Sequence, residues 1–177
     1  MKALIASRCR LEPLVVAHAR EMFAVLSDSA IYEFENAPPA NEEWLANRYQ
    51  RLETRGPAGG AEKWLNWVIR LPSGELAGYV QATVFPDHTS FIAYELNSRY
   101  WRQGIGSDAV QAMLKVLQKG YGVQTCIAVL KAKNYRSDGL LRKLGFVPAN
   151  AEQVDRYRDE PDEIVMIKPV PSSDHAA

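Results

Sequence analysis

The chain has only two cysteines, Cys9 and Cys126, which stand far apart and show no metal-ligand spacing. That argues against a disulfide scaffold or a cysteine-rich metal site, and fits free buried thiols in a reducing cytoplasm. Histidine is scarce too. His18 and His88 have no evident partners, so structural or solvent-facing roles are expected of both. An excess of charge of either sign is missing, with Lys+Arg and Asp+Glu at 21 each. Nothing in that balance favours nucleic acid or an anionic membrane as partner. No apolar run is long enough to span a bilayer, and the N-terminus lacks the unbroken apolar stretch of a signal peptide. Internal repeats and separating linkers are also absent. A cytoplasmic, soluble protein with one domain over residues 1–170 and a frayed tail at 171–177 is therefore expected.

What is there is periodic. Residues 3–12 alternate like an edge strand that Pro13 ends. From Leu14 to Asp28, Val15, Ala19, Met22, Phe23 and Leu26 recur at helical spacing. Asn41 caps a second helix, with Glu42 and Glu43 in its first turn, running to about Arg55. The period then shortens, because Leu65, Trp67, Ile69 and Leu71 alternate as in a strand. Turns at Pro72–Glu75 and Pro86–His88 connect this strand to Leu76–Phe85 and Thr89–Leu96, which predicts an antiparallel meander. A helix from Ile105 to about Lys119 follows, then a central strand at Val123–Leu130 that can lie parallel to an earlier one. Asn134 caps a short helix that Gly145 ends. Phe146–Pro148 and Glu163–Lys168 read as the last strands, with Ala151–Asp162 an irregular surface loop between them.

The candidate chemistry begins at Arg102-Gln103-Gly104-Ile105-Gly106-Ser107. Glycines spaced in this way let the backbone approach a ligand, and the helix start behind them offers unpaired N–H groups that suit a phosphate. Gly104 to Ala109 formally satisfies the dinucleotide fingerprint G-x-G-x-x-G/A. Its context does not fit that reading. The turn lies late in the chain, follows an antiparallel meander, and has Val129, Leu130 and Lys131 where the ribose-binding acid belongs.

Two motifs carry a different resemblance. Tyr94-Glu95-Leu96 with Tyr100-Trp101-Arg102-Gln103-Gly104-Ile105-Gly106 is similar to the acetyl-CoA pyrophosphate loop of the GNAT N-acetyltransferase superfamily. Trp101 replaces the usual Arg or Gln, as in the RimJ/RimL-like branch of ribosomal-protein N-terminal acetyltransferases. Asn134-x-x-Ser137-x-x-Leu140-x-x-Lys143-Leu144-Gly145-Phe146 resembles the second motif of that branch. The opening Arg8-Cys9-Arg10-Leu11-Glu12-Pro13-Leu14 fits the same family start. The resemblance implies an α+β fold, with a mixed central sheet of about seven strands flanked by about four helices.

It also implies an enzyme, an N-acetyltransferase with acetyl-CoA as co-substrate and no metal. The pantetheine arm would lie where the strands ending at Leu96 and Leu130 splay, paired with backbone around Leu96 and Asn97. Amides from Arg102 through Gln103, Gly104, Ile105 and Gly106 to Ser107 would hold the pyrophosphate, beside Trp101. Glu95 is the candidate general base, because a carboxylate on a semi-buried strand face can have a raised pKa. The alternative is a Glu95 that faces solvent or pairs with an arginine.

Many relatives have a tyrosine as general acid where this chain has Leu141. Ser137 is the candidate for that role, or for a hydrogen bond to the cofactor alone. Asn134 is an N-cap and, by resemblance, a pantetheine contact. The acceptor amine, a protein N-terminus or a small molecule, would sit among the first two helices, Ala58-Gly59-Gly60 and Phe85 to His88. Glu33, Glu35 and Asp87 would either attract a cationic acceptor or form a solvated acidic surface. The tryptophans Trp44, Trp64 and Trp67 fit core or cleft lining. Direct transfer is expected, since no base for a nucleophilic Cys126 is evident. A homodimer is the assembly the resemblance implies. A CoA-binding module without turnover is the alternative that the absent tyrosine keeps open.

Overall fold

The computed structural model describes residues 1–170, so the expected frayed tail at 171–177 lies outside the described residues. Eight strands form one sheet in the order β1-β2-β3-β4-β5-β6-β8-β7. They are β1 (Leu4–Ile5), β2 (Arg10–Pro13), β3 (Lys63–Arg70), β4 (Leu76–Val84), β5 (Thr89–Leu96), β6 (Thr125–Lys131), β7 (Val147–Pro148) and β8 (Glu163–Pro169). Five α-helices accompany them: α1 (Ala19–Leu26), α2 (Glu42–Glu53), α3 (Ile105–Tyr121), α4 (Tyr135–Lys143) and α5 (Ala151–Tyr157). The fold is α+β, with the meander β3-β4-β5 where the alternating pattern puts it.

The sequence reading and the structure differ at three elements. The run at 3–12 is a small hairpin, β1 against β2, turned by a bond from Ala6 N to Cys9 O (3.0 Å). Pro13 ends that strand, as expected. It occupies the last position of β2 opposite Trp67, where a missing N–H is tolerated. The first helix is shorter than its apolar pattern, because Val16–His18 forms a 3-10 turn and Asp28 caps a second one at Ser29–Tyr32. The expected loop at 151–162 contains α5. Asn150 and Gln153 form a reciprocal capping box, and Val154 and Tyr157 pack beside Ile127, Val165 and Ile167. Only two apolar residues face inward there, too few for a visible helical period.

The sheet has helices on both faces. Trp67, Val80, Met113, Leu117, Leu141 and Met166 belong to the core under α3 and α4. Met22, Leu26, Leu45, Tyr49 and Val68 form the core under α1 and α2 on the other face.

The feature that positions the site is where pairing stops. β5 and β6 run parallel and pair only at Thr89↔Thr125, Ser90↔Cys126 and Phe91↔Ile127. Beyond that point β5 stays paired to β4 as far as Leu96, and β6 to β8 as far as Lys131. The two strands therefore diverge, and main-chain groups on facing edges are left without each other as partners. Such edges are costly if buried and dry, and they invite an extended ligand.

Candidate active site

A cavity of about 1140 Å³ opens from this divergence and continues to the glycine turn on one side and to α1 and α2 on the other. Of the expected site residues, Glu95, Leu96, Trp101, Arg102, Gly104, Gly106, Ser107, Asn134 and Ser137 line it. Three do not. Ile105 is 7 % exposed in the core, and Gln103 Nε2 donates to Arg99 O (2.8 Å) at the surface. Asn97 is held by β4 and α1, its N–H donating to Ala77 O (2.9 Å) and its Nδ2 to Val25 O (3.0 Å).

The glycine turn is built for close approach. Gly104 precedes α3 with φ 79°, and no side chain caps that helix. The first intrahelical bond is Asp108 N to Gly104 O (3.0 Å), so the N–H groups of Ile105, Gly106 and Ser107 precede the ladder. A Cβ on Gly104 would come within 3.2 Å of Arg8 Nε, and one on Gly106 within 3.3 Å of Leu140 Cδ1. Arg8, absent from the sequence-based site, thus places a guanidinium against the turn. Trp101 ties the turn to the strand end, because its Nε1 donates to Leu96 O (2.7 Å). The Arg136 guanidinium stacks 4.3 Å over the Trp101 ring and pairs with Glu33.

Glu95 is half-buried on the sheet face under α1 and α2, opposite Tyr79. Burial raises its pKa above the ordinary carboxylate value, and the Tyr79 hydroxyl and the Arg48 charge offset part of that rise. Tyr32 also acts on Glu95, but its hydroxyl donates to Leu26 O (2.9 Å), which leaves Tyr79 as the available donor. Glu95 neither faces bulk water nor forms an ion pair among the described residues.

At the first turn of α4, Asn134 Oδ1 accepts from Ser137 N (3.1 Å), while Asn134 Nδ2 donates to Glu35 Oε1 (3.2 Å). The capping role is therefore real. Ser137 Oγ lies 2.7 Å from Tyr94 Oη across the cavity wall. Burial pushes the Tyr94 hydroxyl up to about 12, and its bond to Ser137 works in the opposite direction. Sequence reading placed Tyr94 in a motif but gave it no role. Strand alternation puts it on the face opposite Glu95, and that was the available signal.

Other expectations resolve plainly. Ala58–Gly60 and Phe85–His88 do not line the cavity, because they flank the paired end of the sheet and the strands open at the other end. Glu35 lines the cavity, whereas Asp87 holds Thr89 Oγ1 (2.6 Å) in a turn. His18 accepts from Val15 N (3.2 Å) and His88 contacts Gly122 O (3.1 Å), so both are structural. Trp67 is core at 1 % exposure, while Trp44 lines the cavity mouth at 48 %. Cys126 is fully buried, with burial pushing its thiol up to about 12, a poor nucleophile.

Solved structures of similar shape were found, although no curated protein matches the sequence. RimL, a ribosomal L7/L12 alpha-N-protein acetyltransferase solved with coenzyme A, superposes with TM-score 0.80 at 15 % identity, over 95 % of this chain and 98 % of that one. RimJ from Mycobacterium smegmatis, solved with a CoA-disulfide, gives 0.79 at 16 % identity, over 95 % and 87 %. The ribosomal-protein-S5-alanine acetyltransferase of Vibrio fischeri gives 0.74 at 19 % identity, over 94 % and 96 %. At such identities the likeness establishes the fold. The family model for the acetyltransferase (GNAT) domain matches residues 8–147, so the chain belongs to the GNAT acetyltransferase family.

Proposed function

We propose that this protein, as a single domain over residues 1–170, transfers acetyl from acetyl-CoA directly to a primary amine. The amine is that of a protein N-terminus or a small molecule, as in the RimJ/RimL-like branch. The observation that carries this reading is the continuity of three features in one cavity: the β5/β6 divergence, the uncapped start of α3, and the half-buried Glu95. Solved neighbours in complex with coenzyme A or a CoA-disulfide support the choice of cofactor. The buried free thiols Cys9 and Cys126 suit a reducing cytoplasm.

When bound, acetyl-CoA supplies the activated acetyl thioester. The amides of Gly104 to Ser107 hold its pyrophosphate at the positive end of α3. The open edges of β5 and β6 orient the pantetheine arm. Glu95 Oε takes a proton from the acceptor ammonium, directly or through water, and so frees the nitrogen for attack. Ser137 Oγ returns a proton to the departing thiolate, and Tyr94 Oη resupplies Ser137 across their 2.7 Å contact. This hydroxyl pair takes over the duty of the tyrosine that Leu141 replaces, since Leu141 is fully buried. No covalent enzyme intermediate is needed.

Calorimetric titration with acetyl-CoA, with nicotinamide dinucleotides as controls, tests the reading. Micromolar binding of acetyl-CoA alone is expected. No binding, or a preference for a dinucleotide, would overturn it. Once an acceptor is found, Ser137→Ala should lower kcat by about 10²-fold with little change in acetyl-CoA affinity. Tyr94→Phe should lower kcat less. Unchanged turnover in Ser137→Ala would hand the acid role to water.

A further inference from the structure

The acceptor half of the cavity contains a cation that contacts no carboxylate of the fold, although its charge acts on Glu95. Arg48 on α2 is half-buried and lines the cavity. Its guanidinium lies 5.9 Å from the Trp44 ring centroid, and it makes no ion pair or hydrogen bond among the described residues. Other arginines do contact a carboxylate: Arg70 with Glu12 at 2.8 Å, Arg99 with Glu75 at 2.8 Å, Arg142 with Asp138 at 2.9 Å. With no carboxylate in contact, the Arg48 guanidinium keeps its N–H donors open to a ligand that enters the cavity.

A second observation points into the same space. Asn66 is 4 % exposed, lines the cavity, and its side-chain amide has no hydrogen-bond partner among the described residues. Gln81, its direct neighbour across β3 and β4, also lines the cavity with an unbonded amide. Neither amide is among the buried polar atoms without a partner, which are Tyr49 Oη and Arg55 Nη1 among the described residues, so both amides reach the cavity and are open to a ligand there. Register places them relative to Glu95. Asn66, Gln81 and Ala93 form one row across three strands, and Val68, Tyr79 and Glu95 form the adjacent row on the same face. The two amides are thus one row from the candidate base, under the helix that carries Arg48.

We infer that the acceptor is an amine that also carries a carboxylate, a zwitterion bound with its amine at Glu95 and its carboxylate on Arg48. The Asn66 and Gln81 amides hydrogen-bond the atoms between. This rests on the acetyl-transfer reading and narrows it. A guanidinium suits a carboxylate because it donates two parallel bonds, and it repels purely cationic acceptors such as polyamines. Two sources share this chemistry: a free amino acid, through its α-carboxylate, or a peptide N-terminus, through an acidic side chain.

The test measures kcat/KM at saturating acetyl-CoA for matched probes. One arm compares amino acids with their α-carboxamides. The other compares C-terminally amidated tripeptides beginning with Asp or Glu against those beginning with Asn or Gln. At least tenfold preference for the carboxylate is expected in one arm, which identifies the source. Arg48→Gln should erase that preference mainly through KM, and Arg48→Lys should keep part of it. Thermal unfolding of each variant checks that it folds. Equal rates within every pair, a preference that survives Arg48→Gln, or turnover confined to polyamines would overturn the inference while leaving acetyl transfer intact. Acetyl-CoA that binds while no carboxylated amine reacts would also overturn it. Failure of acetyl-CoA to bind at all, measured first by calorimetry, overturns the acetyltransferase reading itself and this inference with it.

Discussion

Replacing Glu95 by Gln is expected to lower kcat by about 10²–10⁴-fold, the usual contribution of a positioned general base, with acetyl-CoA affinity unchanged. Gln keeps the side chain's size and its place opposite Tyr79 but accepts no proton. The pH profile makes the test sharper. Burial raises the Glu95 pKa, so kcat/KM should rise with pH through a value above the ordinary carboxylate range. That limb should vanish in Glu95→Gln. Stability should move the other way. With its pKa raised on folding, Glu95 favours the folded state most below its unfolded pKa, and that advantage is lost as pH rises through the folded value. A side chain neutral at every pH escapes this loss. Glu95→Gln should therefore unfold at a higher temperature than the wild type at neutral pH, the trade expected of a strained active-site group. Full turnover in the variant would remove Glu95 from the mechanism and favour a CoA-binding module.

Gly78→Ala should damage stability and turnover together. Gly78 pairs with Leu96, and a Cβ there would stand 2.1 Å from Glu95 O and 2.9 Å from Leu96 Cα. Both obstacles are main chain, so no rotamer change relieves them. The end of β5 must shift, and that end carries the candidate base and one wall of the divergence. Overpacking of this kind costs about 1–3 kcal/mol. For a chain of this length that lowers Tm by roughly 2–12 °C. Displacement of Glu95 by even about 1 Å should also cut kcat by about 10²-fold. Thermal unfolding with parallel kinetics measures both effects. Wild-type Tm and kcat in this variant would mean that β4 and β5 tolerate wider spacing and that Glu95 needs no such support.

The parts that the sequence made legible are those with a local cause. Alternation from Leu65 to Leu96 predicted the meander, and turn residues set its limits. Gly104 and Gly106 marked the start of α3, and Asn134 marked the start of α4, where the structure shows it as the cap. The α5 helix was not legible because Val154 and Tyr157 alone face its sheet, and its end is fixed by an Asn150–Gln153 capping box that a loop composition hides. The hairpin of β1 and β2 was read as one strand because alternation does not reveal a reversal. Glu95 was a candidate because it is an acid on an apolar face, whereas Tyr94 next to it was placed in a motif and given no role. Its importance depends on Ser137, which lies 43 residues away and meets it only when β5 packs beside α4.

The sequence by itself marked the family, through the resemblance carried by the motifs at 94–106 and 134–146, and the candidate phosphate-binding turn, because motifs, caps and glycine spacing are encoded within a few residues. The proposed acceptor side is visible in the tertiary structure alone. Arg48 on a helix and Asn66 and Gln81 on two strands carry no motif. They line one cavity because antiparallel register fixes which strand side chains share a row, and α2 packs on that face of the sheet with Arg48 in the same cavity. The divergence of β5 from β6 has the same origin. Pairing between distant strands depends on the whole sheet, and neither strand's own sequence records where its partner departs.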